Sequence, residues 1–536
     1  MPVSKSPPST RYLWAAPGDV NAFFGLMLDN VADLLMTVGL LSAIFAFPTQ
    51  FALRHMVPGT AVGVLAGDLL FFVLAFRLAR KTGRNNVTAM PLGLDTPSTF
   101  GMVLFVLGPA FLHAKNQLAL PEQAAAEYAW HIGICSLVFS GILKLACSFG
   151  SHWIRSVFPR AGLLGSLTAI ALVLISFLPL IELLHYPVVG LASLAVILMT
   201  LVARVSLPFR VPGALGALVI GSVLYYGLKL AGWSPPEPAS DLNAAEALLP
   251  YEWLGVFQFR WVARLPDAVG YLPIVLPFAL ATVVGGIDCT ESAAAAGDEY
   301  DTREVIGVEA IATLLAALCG GVVQTTPYIG HPAYKAMGGR AAYALATALF
   351  IGSAGLIGYF GYMYAVIPKA TVFPILVFVG LEITAQSFHA TPVRHYTAVA
   401  LACVPALASL AMIFVDKLMG ELVPPGTAAK LSPALTAEIN TLRILSNGFV
   451  ITSLLWGSLL AQLIDRRLRG AAVFSTVAGV ATLFGIIHSP LPGNPVFLPW
   501  QLSTADRAAP LSYAAAYFIV ALLLLARSWW PDEDPS

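Results

Sequence analysis

Apolar runs of about 20 residues recur along nearly the whole chain, and that length is what an α-helix needs to cross the hydrocarbon core of a bilayer. Of the 536 residues, 58% are hydrophobic and only 11% are charged, against about 25% charged in soluble domains. The pattern predicts an all-α polytopic membrane protein. Crossings are expected at 19–46, 57–77, 89–112, 130–149, 162–183, 186–204, 213–233, 270–296, 303–322, 326–340, 341–366, 370–388, 394–416, 446–465, 471–488 and 512–527, with long polar connections at 234–265 and 417–445. The formal net charge is zero and no Lys/Arg run is present, so the electrostatic footprint of a nucleic-acid binder is missing. Cys135, Cys147, Cys289, Cys319 and Cys403 all fall in apolar runs without a CxxC pair, which predicts buried thiols rather than a disulfide framework. The polar, Pro-rich start MPVSKSPPSTRYLW lacks the apolar stretch and cleavage site of a signal peptide.

Positive charge sets orientation. With the N-terminus inside, one set of loops holds 18 Lys/Arg and the other 10, half of the ten in the two long connections, which count least. Both termini are therefore expected on the cytoplasmic side of the cell (inner) membrane. Lys144 stands apart, within a crossing.

The segment MPLGLDTPSTFG, Met90 to Gly101, interrupts this picture. Pro91 and Pro97 lack an N–H, and Gly93 weakens a helix further. Unpaired backbone in hydrocarbon costs several kcal/mol, so a break is tolerated only where protein or a water-filled cavity satisfies it. The spacing predicts extended chain through Leu92, then a helix capped by Asp95 or Thr96 with Pro97 in its first turn. A second segment of this kind, QTTPYIGHPA from Gln324 to Ala333, again sets two prolines around a glycine. Paired interruptions of this type point to an inverted-repeat transporter with its site at the repeat interface, where two half-helix N-termini offer free N–H groups.

The helices before the breaks carry paired acids. Asp29 and Asp33 are four apart in LMLDNVADLLM, and Asp288 and Glu291 three apart in GGIDCTESAAAAG, so each pair shares a helix face. Carboxylates at membrane depth mark ion or proton pathways. Small residues from Ala293 to Gly297 leave room for a ligand beside Glu291. Asp68, His152, Glu182 and His389 lie near expected span ends and read as interfacial.

At these positions the sequence resembles the xanthine/uracil permease (nucleobase–ascorbate transporter) family, closest to its hypoxanthine/guanine/adenine branch. The likeness runs over roughly 20–465 and rests on TAMPLGLDTPSTF, the Glu291 context, TTPYIGHPAYKAMGGR and IPKATVFPILVFVGLEI. It implies two inverted repeats of seven helices, forming a core and a gate domain, with short strands before the broken third and tenth helices and two extra C-terminal helices. It also implies a homodimer and an elevator-type secondary transporter. The implied division is an N-terminal tail 1–18, core 19–149, gate 150–233, extracytoplasmic connection 234–269, core 270–366, gate 367–465, additional helices 466–527 and a tail 528–536.

By position, Glu291 matches the eighth-helix glutamate that hydrogen-bonds the base, and Tyr328 the residue before the tenth-helix site. A second glutamate is expected two residues later, where this chain has Gly330 and then His331. The expected function is proton-coupled uptake of a purine-like nucleobase, with Na+ coupling left open. Asp95, Thr96, Ser98, Phe100, Tyr328, Gly330, His331 and Glu291 would contact substrate, and Glu291, Asp288, Asp29 and Asp33 would couple the proton. The alternative is an organic or inorganic anion transporter on the same scaffold. Neither cofactor nor metal is expected, and no HExxH motif suggests an enzyme. An aspartyl pair from Asp68 and Asp301 is disfavoured because Asp301 lies in a polar loop. Membrane lipid and the small-molecule substrate with its ion are the expected partners.

Overall fold

A computed structural model describes residues 12–149, 159–208, 211–233, 243–328, 330–422, 431–491 and 497–529. Parts of both terminal tails and of both long connections, His152 and Ile329 among other residues, lie outside that set.

The helices in chain order are α1 (Gly18–Phe45), α2 (Thr49–Thr82), α3 (Thr96–Asn116), α4 (Glu122–Ser148), α5 (Arg160–Leu184), α6 (Pro187–Val202), α7 (Gly213–Leu230) and α8 (Leu272–Ala295). They continue as α9 (Thr302–Leu318), α10 (His331–Ala336), α11 (Ala342–Ile357), α12 (Phe360–Val366), α13 (Lys369–His389) and α14 (Tyr396–Leu422). The last four are α15 (Pro433–Ser446), α16 (Phe449–Ile464), α17 (Leu468–Leu483) and α18 (Thr504–Ser528). Two strands, β1 (Leu92–Leu94) and β2 (Thr325–Pro327), precede α3 and α10. Among the described residues ten helices are long and apolar enough to span, or up to twelve if each bent pair counts as one. The chain is an integral membrane protein of broken helices with a short strand before each of the two breaks.

Three expected elements differ. The tenth crossing, 326–340, is a three-residue strand followed by the six-residue α10, a rise of about 9 Å against the roughly 30 Å core. The eleventh bends by 90° between α11 and α12, at Gly358 with φ +88°. The polar connection 417–445 contains the two-faced helix α15, capped by Ser432 on the Leu435 N–H at 3.2 Å.

The chain divides into two compact units. One comprises Met1–Ser151, Leu183–Leu265 and Thr282–Ile375, the other His152–Glu182, Pro266–Ala281 and Leu376–Ser536. Within the first, α2 packs on α9. Lipid tails are as apolar as leucine, so helices associate through close contact rather than water exclusion. Gly59 makes that contact: a Cβ there would lie 2.2 Å from both Cys319 O and Gly321 N. The same stripe continues at Gly63, against Ala316, and Gly67, against Leu92. The interior of this unit includes Leu26, Phe71, Met90, Leu92, Ala312, Tyr334 and Tyr343. The end of the expected N-terminal tail is fastened here, with Trp14 O accepting from Ala341 N and Ala342 N, both at 2.9 Å.

Within the second unit, Ala161 of α5, Ala398 and Val399 of α14 and Ala461 of α16 form one small-residue contact. The additional helices are held to α16 by Tyr517, whose hydroxyl accepts from Trp456 Nε1 at 2.7 Å and meets His488 Nε2 at 2.8 Å.

Candidate substrate site at the paired chain breaks

β1 and β2 run antiparallel, with Leu92 opposite Pro327, Gly93 opposite Thr326 and Leu94 opposite Thr325. The prolines keep both segments out of helix, and the extended backbone must still be paired. The two breaks pair with each other: Tyr328 N donates to Pro91 O at 2.8 Å and Asp95 N to Gln324 O at 3.0 Å. The N–H groups of β1 that face away from β2 go to side chains. Leu92 N donates to Asp68 Oδ1 and Leu94 N to Asn30 Oδ1, each at 3.1 Å. On the other strand, Thr325 O accepts from Lys144 Nζ at 2.9 Å and Thr325 N donates to Thr313 Oγ1 at 3.4 Å. Asn30, Asp68, Lys144 and Thr313 thus do for a two-stranded ladder what flanking strands do in a larger sheet.

The two halves repeat the arrangement. α1 supplies Asn30 to β1, and α8 supplies Cys289, whose Sγ donates to Pro327 O at 3.3 Å. α2 supplies Asp68, and α9 supplies Thr313. α9 also brings Glu309, which forms an ion pair with Lys144 at 2.8 Å, both side chains 0% exposed. Burying one charge without the other would be costly, which is why Lys144 is tolerated inside α4.

The expected site residues fall as follows. Asp95 caps α3, accepting from Ser98 N at 2.9 Å. Thr96 Oγ1 donates to Asp33 Oδ2 at 3.1 Å, joining α1 to the start of α3. Asp95, Thr96, Ser98 and Phe100 are buried. Asp29 is half-buried, its Oδ2 3.4 Å from where a Cβ on Gly93 would stand. Asp288 is half-buried and Glu291 exposed along α8. Tyr328 is half-buried and stacks on Tyr334 at 6.2 Å. Gly330 lets that ring lie close, because a Cβ there would sit 2.6 Å from Tyr328 Cε1. His331 is buried, its Nε2 3.2 Å from Thr88 O and 3.4 Å from Asp298 Oδ2.

His331 therefore belongs to a cluster that sequence reasoning missed. Asp298, in the loop after α8, accepts from Thr88 N at 3.0 Å and lies 2.6 Å from Lys335 Nζ and 3.2 Å from Arg84. Burial pushes its carboxyl up, but the hydrogen bonds from His331, Lys335 and Thr88 N–H and the Lys335 charge outweigh this, and the group is held below its ordinary value. Glu309 and the role of Asp68 were missed as well. Asp68 is not interfacial: α2 extends to Thr82, and the residue is fully buried against β1. Lys144 within a crossing was the one signal that a buried acid had to exist elsewhere in the chain.

No protein-family model matches the chain, and no curated protein matches it. Among solved structures it is similar to Solute Carrier 26 family member A9, at 14% identity and a TM-score of 0.47 over 74% of this chain. The chain spans 62% of the length of that protein. It is also similar to the transmembrane domain of a cyanobacterial bicarbonate transporter, BicA, at 15% identity and TM-score 0.46, covering 76% of this chain and 97% of that one. The murine Solute Carrier 26 family member A9 anion transporter in its inward-facing state gives 12% identity and TM-score 0.46, over 77% and 69% of the two chains.

Proposed function

We propose that the chain is a secondary active transporter, working by an elevator-type mechanism, whose substrate binds beside the β1–β2 ladder. The carrying observation is the hydrogen-bonded union of two interrupted segments, one from each half, at membrane depth. Irregular backbone is stable there only when protein or a polar cavity satisfies it, and discontinuous helices in corresponding positions are the construction of transporter sites.

Acids lie at the ladder: Asp29 beside Gly93, Asp33 bonded to Thr96 and Asp95 at the cap of α3, while Lys144 is paired with Glu309; α8 carries two more, Asp288 and Glu291. That balance favours a substrate that donates hydrogen bonds and travels with protons, as a purine-like nucleobase does. Glu291, exposed on α8, would take the substrate N–H; Asp288, Asp29 and Asp33 would exchange the proton. Tyr328 would cover the ring.

A second reading is anion transport. It is favoured by the start of α10, whose N-cap residue Gly330 provides no side-chain cap, beside the basic residues His331 and Lys335. Uptake of labelled purine bases and of bicarbonate or sulfate into proteoliposomes, with an inward proton gradient, separates the two. The nucleobase reading expects purine accumulation in wild type and none in Glu291→Gln. Accumulation of the anion alone, unaffected by Glu291→Gln, would replace it with the second reading.

A further inference from the structure

Away from the ladder, the second unit has a cavity of about 330 Å³ lined by Arg466, Arg467, Arg469 and Arg527. Arg466 and Arg467 come from the α16–α17 turn, Arg469 from the first turn of α17 and Arg527 from the end of α18. Four guanidiniums from two segments converge on one space. The neighbouring acid, Asp465, is engaged elsewhere, by His395 at 2.8 Å and Arg394 at 3.1 Å. Among the described residues, Arg467 and Arg469 have no carboxylate partner. Arg466 adopts φ +57°, a left-handed conformation that is uncommon for a side-chain-bearing residue. α17 begins at this cavity without a side-chain cap on its first N–H groups, which adds positive partial charge to the same space.

The chemistry this selects is a phosphate-bearing anion: planar guanidinium groups bind phosphate oxygens in pairs. The surroundings indicate the source. The final turns of α18 leave Leu522, Leu523 and Leu525 exposed, and Trp529 just beyond is 81% exposed. An apolar helix face running into an arginine cavity matches a lipid, acyl chains along the leucines and headgroup among the arginines. We infer that this cavity is a binding site for the phosphate headgroup of an anionic membrane phospholipid, and that holding it is a role of the additional C-terminal helices. In the expected orientation, with both termini cytoplasmic, the cavity faces the cytoplasm.

The test uses the full chain purified in detergent, supplied with phosphatidylglycerol, with phosphatidylcholine or with inorganic phosphate, and read by native mass spectrometry. Wild type is expected to retain phosphatidylglycerol over phosphatidylcholine. The triple variant Arg467→Gln/Arg469→Gln/Arg527→Gln is expected to bind it on the order of a hundredfold more weakly, at about a factor of five per charge. These side chains are exposed, so the variant should stay monodisperse; the Lys triple variant, which keeps the charge, should recover much of the binding. Removing residues 531–536, which include Asp532, Glu533 and Asp534, should leave binding equal or tighter. Inorganic phosphate that competes at matched concentration would assign the site to a soluble phosphate. Equal retention of both lipids, equal binding by wild type and the Gln variant, or binding lost on removal of 531–536 would overturn the inference.

Discussion

Replacing Lys144 by Met tests how the ladder is held in place. The substitution leaves Glu309, 0% exposed, without its ion-pair partner and removes the 2.9 Å donor from Thr325 O on β2. Removing one member of a buried pair costs about 3–5 kcal/mol, and a buried carbonyl left with only the long 3.4 Å bond from Thr313 Oγ1 costs about 1–3 kcal/mol. Lys144→Met alone should thus lose roughly 4–8 kcal/mol. Glu309→Leu alone leaves Lys144 uncompensated and should lose about 3–5 kcal/mol by the same reasoning. The double variant has no stranded charge, and exchanging a buried pair for apolar side chains is often neutral or stabilising. Only the Thr325 carbonyl remains, so the double variant should lie within about 3 kcal/mol of wild type. The assay is reversible unfolding in mixed micelles with increasing SDS, followed by tryptophan fluorescence, analysed as a double-mutant cycle. A coupling of several kcal/mol is expected. A double variant as unstable as the two single losses added together would refute the pairing.

Other consequences are simpler. Gly59→Ala drives a methyl group into the Cys319–Gly321 backbone, where neither side is a flexible side chain. It should cost about 1–3 kcal/mol, seen as a lowered melting temperature and aggregation on size-exclusion chromatography, whereas Gly307→Ala, with open space around it, should not. Asp298 has a depressed folded-state pKa, so its contribution to stability is full above the ordinary carboxylate value of about 4 and is lost as pH falls through the folded value. Thermal melts of wild type should be insensitive to this group between pH 7 and 5 and weaken below about pH 4, while Asp298→Asn should be weaker throughout and lack that step. A wild-type step centred near pH 6 would assign the transition to another group.

Much of the scaffold was readable because a bilayer permits so few structures. Runs of spanning length gave the helices, and the two Pro/Gly clusters gave the breaks, down to a cap at Asp95 or Thr96, of which the structure uses Asp95. What escaped has a common cause. Glu309 looks like any acid in an apolar helix until Lys144, distant in sequence, lies beside it. Asp68 acquires its role only from the orientation of the Leu92 N–H. His331 resembles a site residue beside a broken helix, and only the fold shows it turned toward Thr88 and Asp298. The six-residue length of α10 was hidden because Pro332, Tyr334 and the glycines after it are equally compatible with a longer kinked span.

The central claim is that the two interrupted segments form one ladder. In the register found, Leu94 and Thr325 are a non-hydrogen-bonded pair, since Asp95 N reaches Gln324 O while Leu94 N turns to Asn30. Such pairs have Cα atoms about 4.5 Å apart, within the range a disulfide spans. In a background with the five native cysteines replaced, Leu94→Cys/Thr325→Cys with a protease site placed in the 234–242 connection should form a bond on mild oxidation in membranes. The two halves would then stay together on a non-reducing gel after cleavage. Complete separation of the halves, with both thiols still free to label, would contradict the ladder and the substrate site built on it.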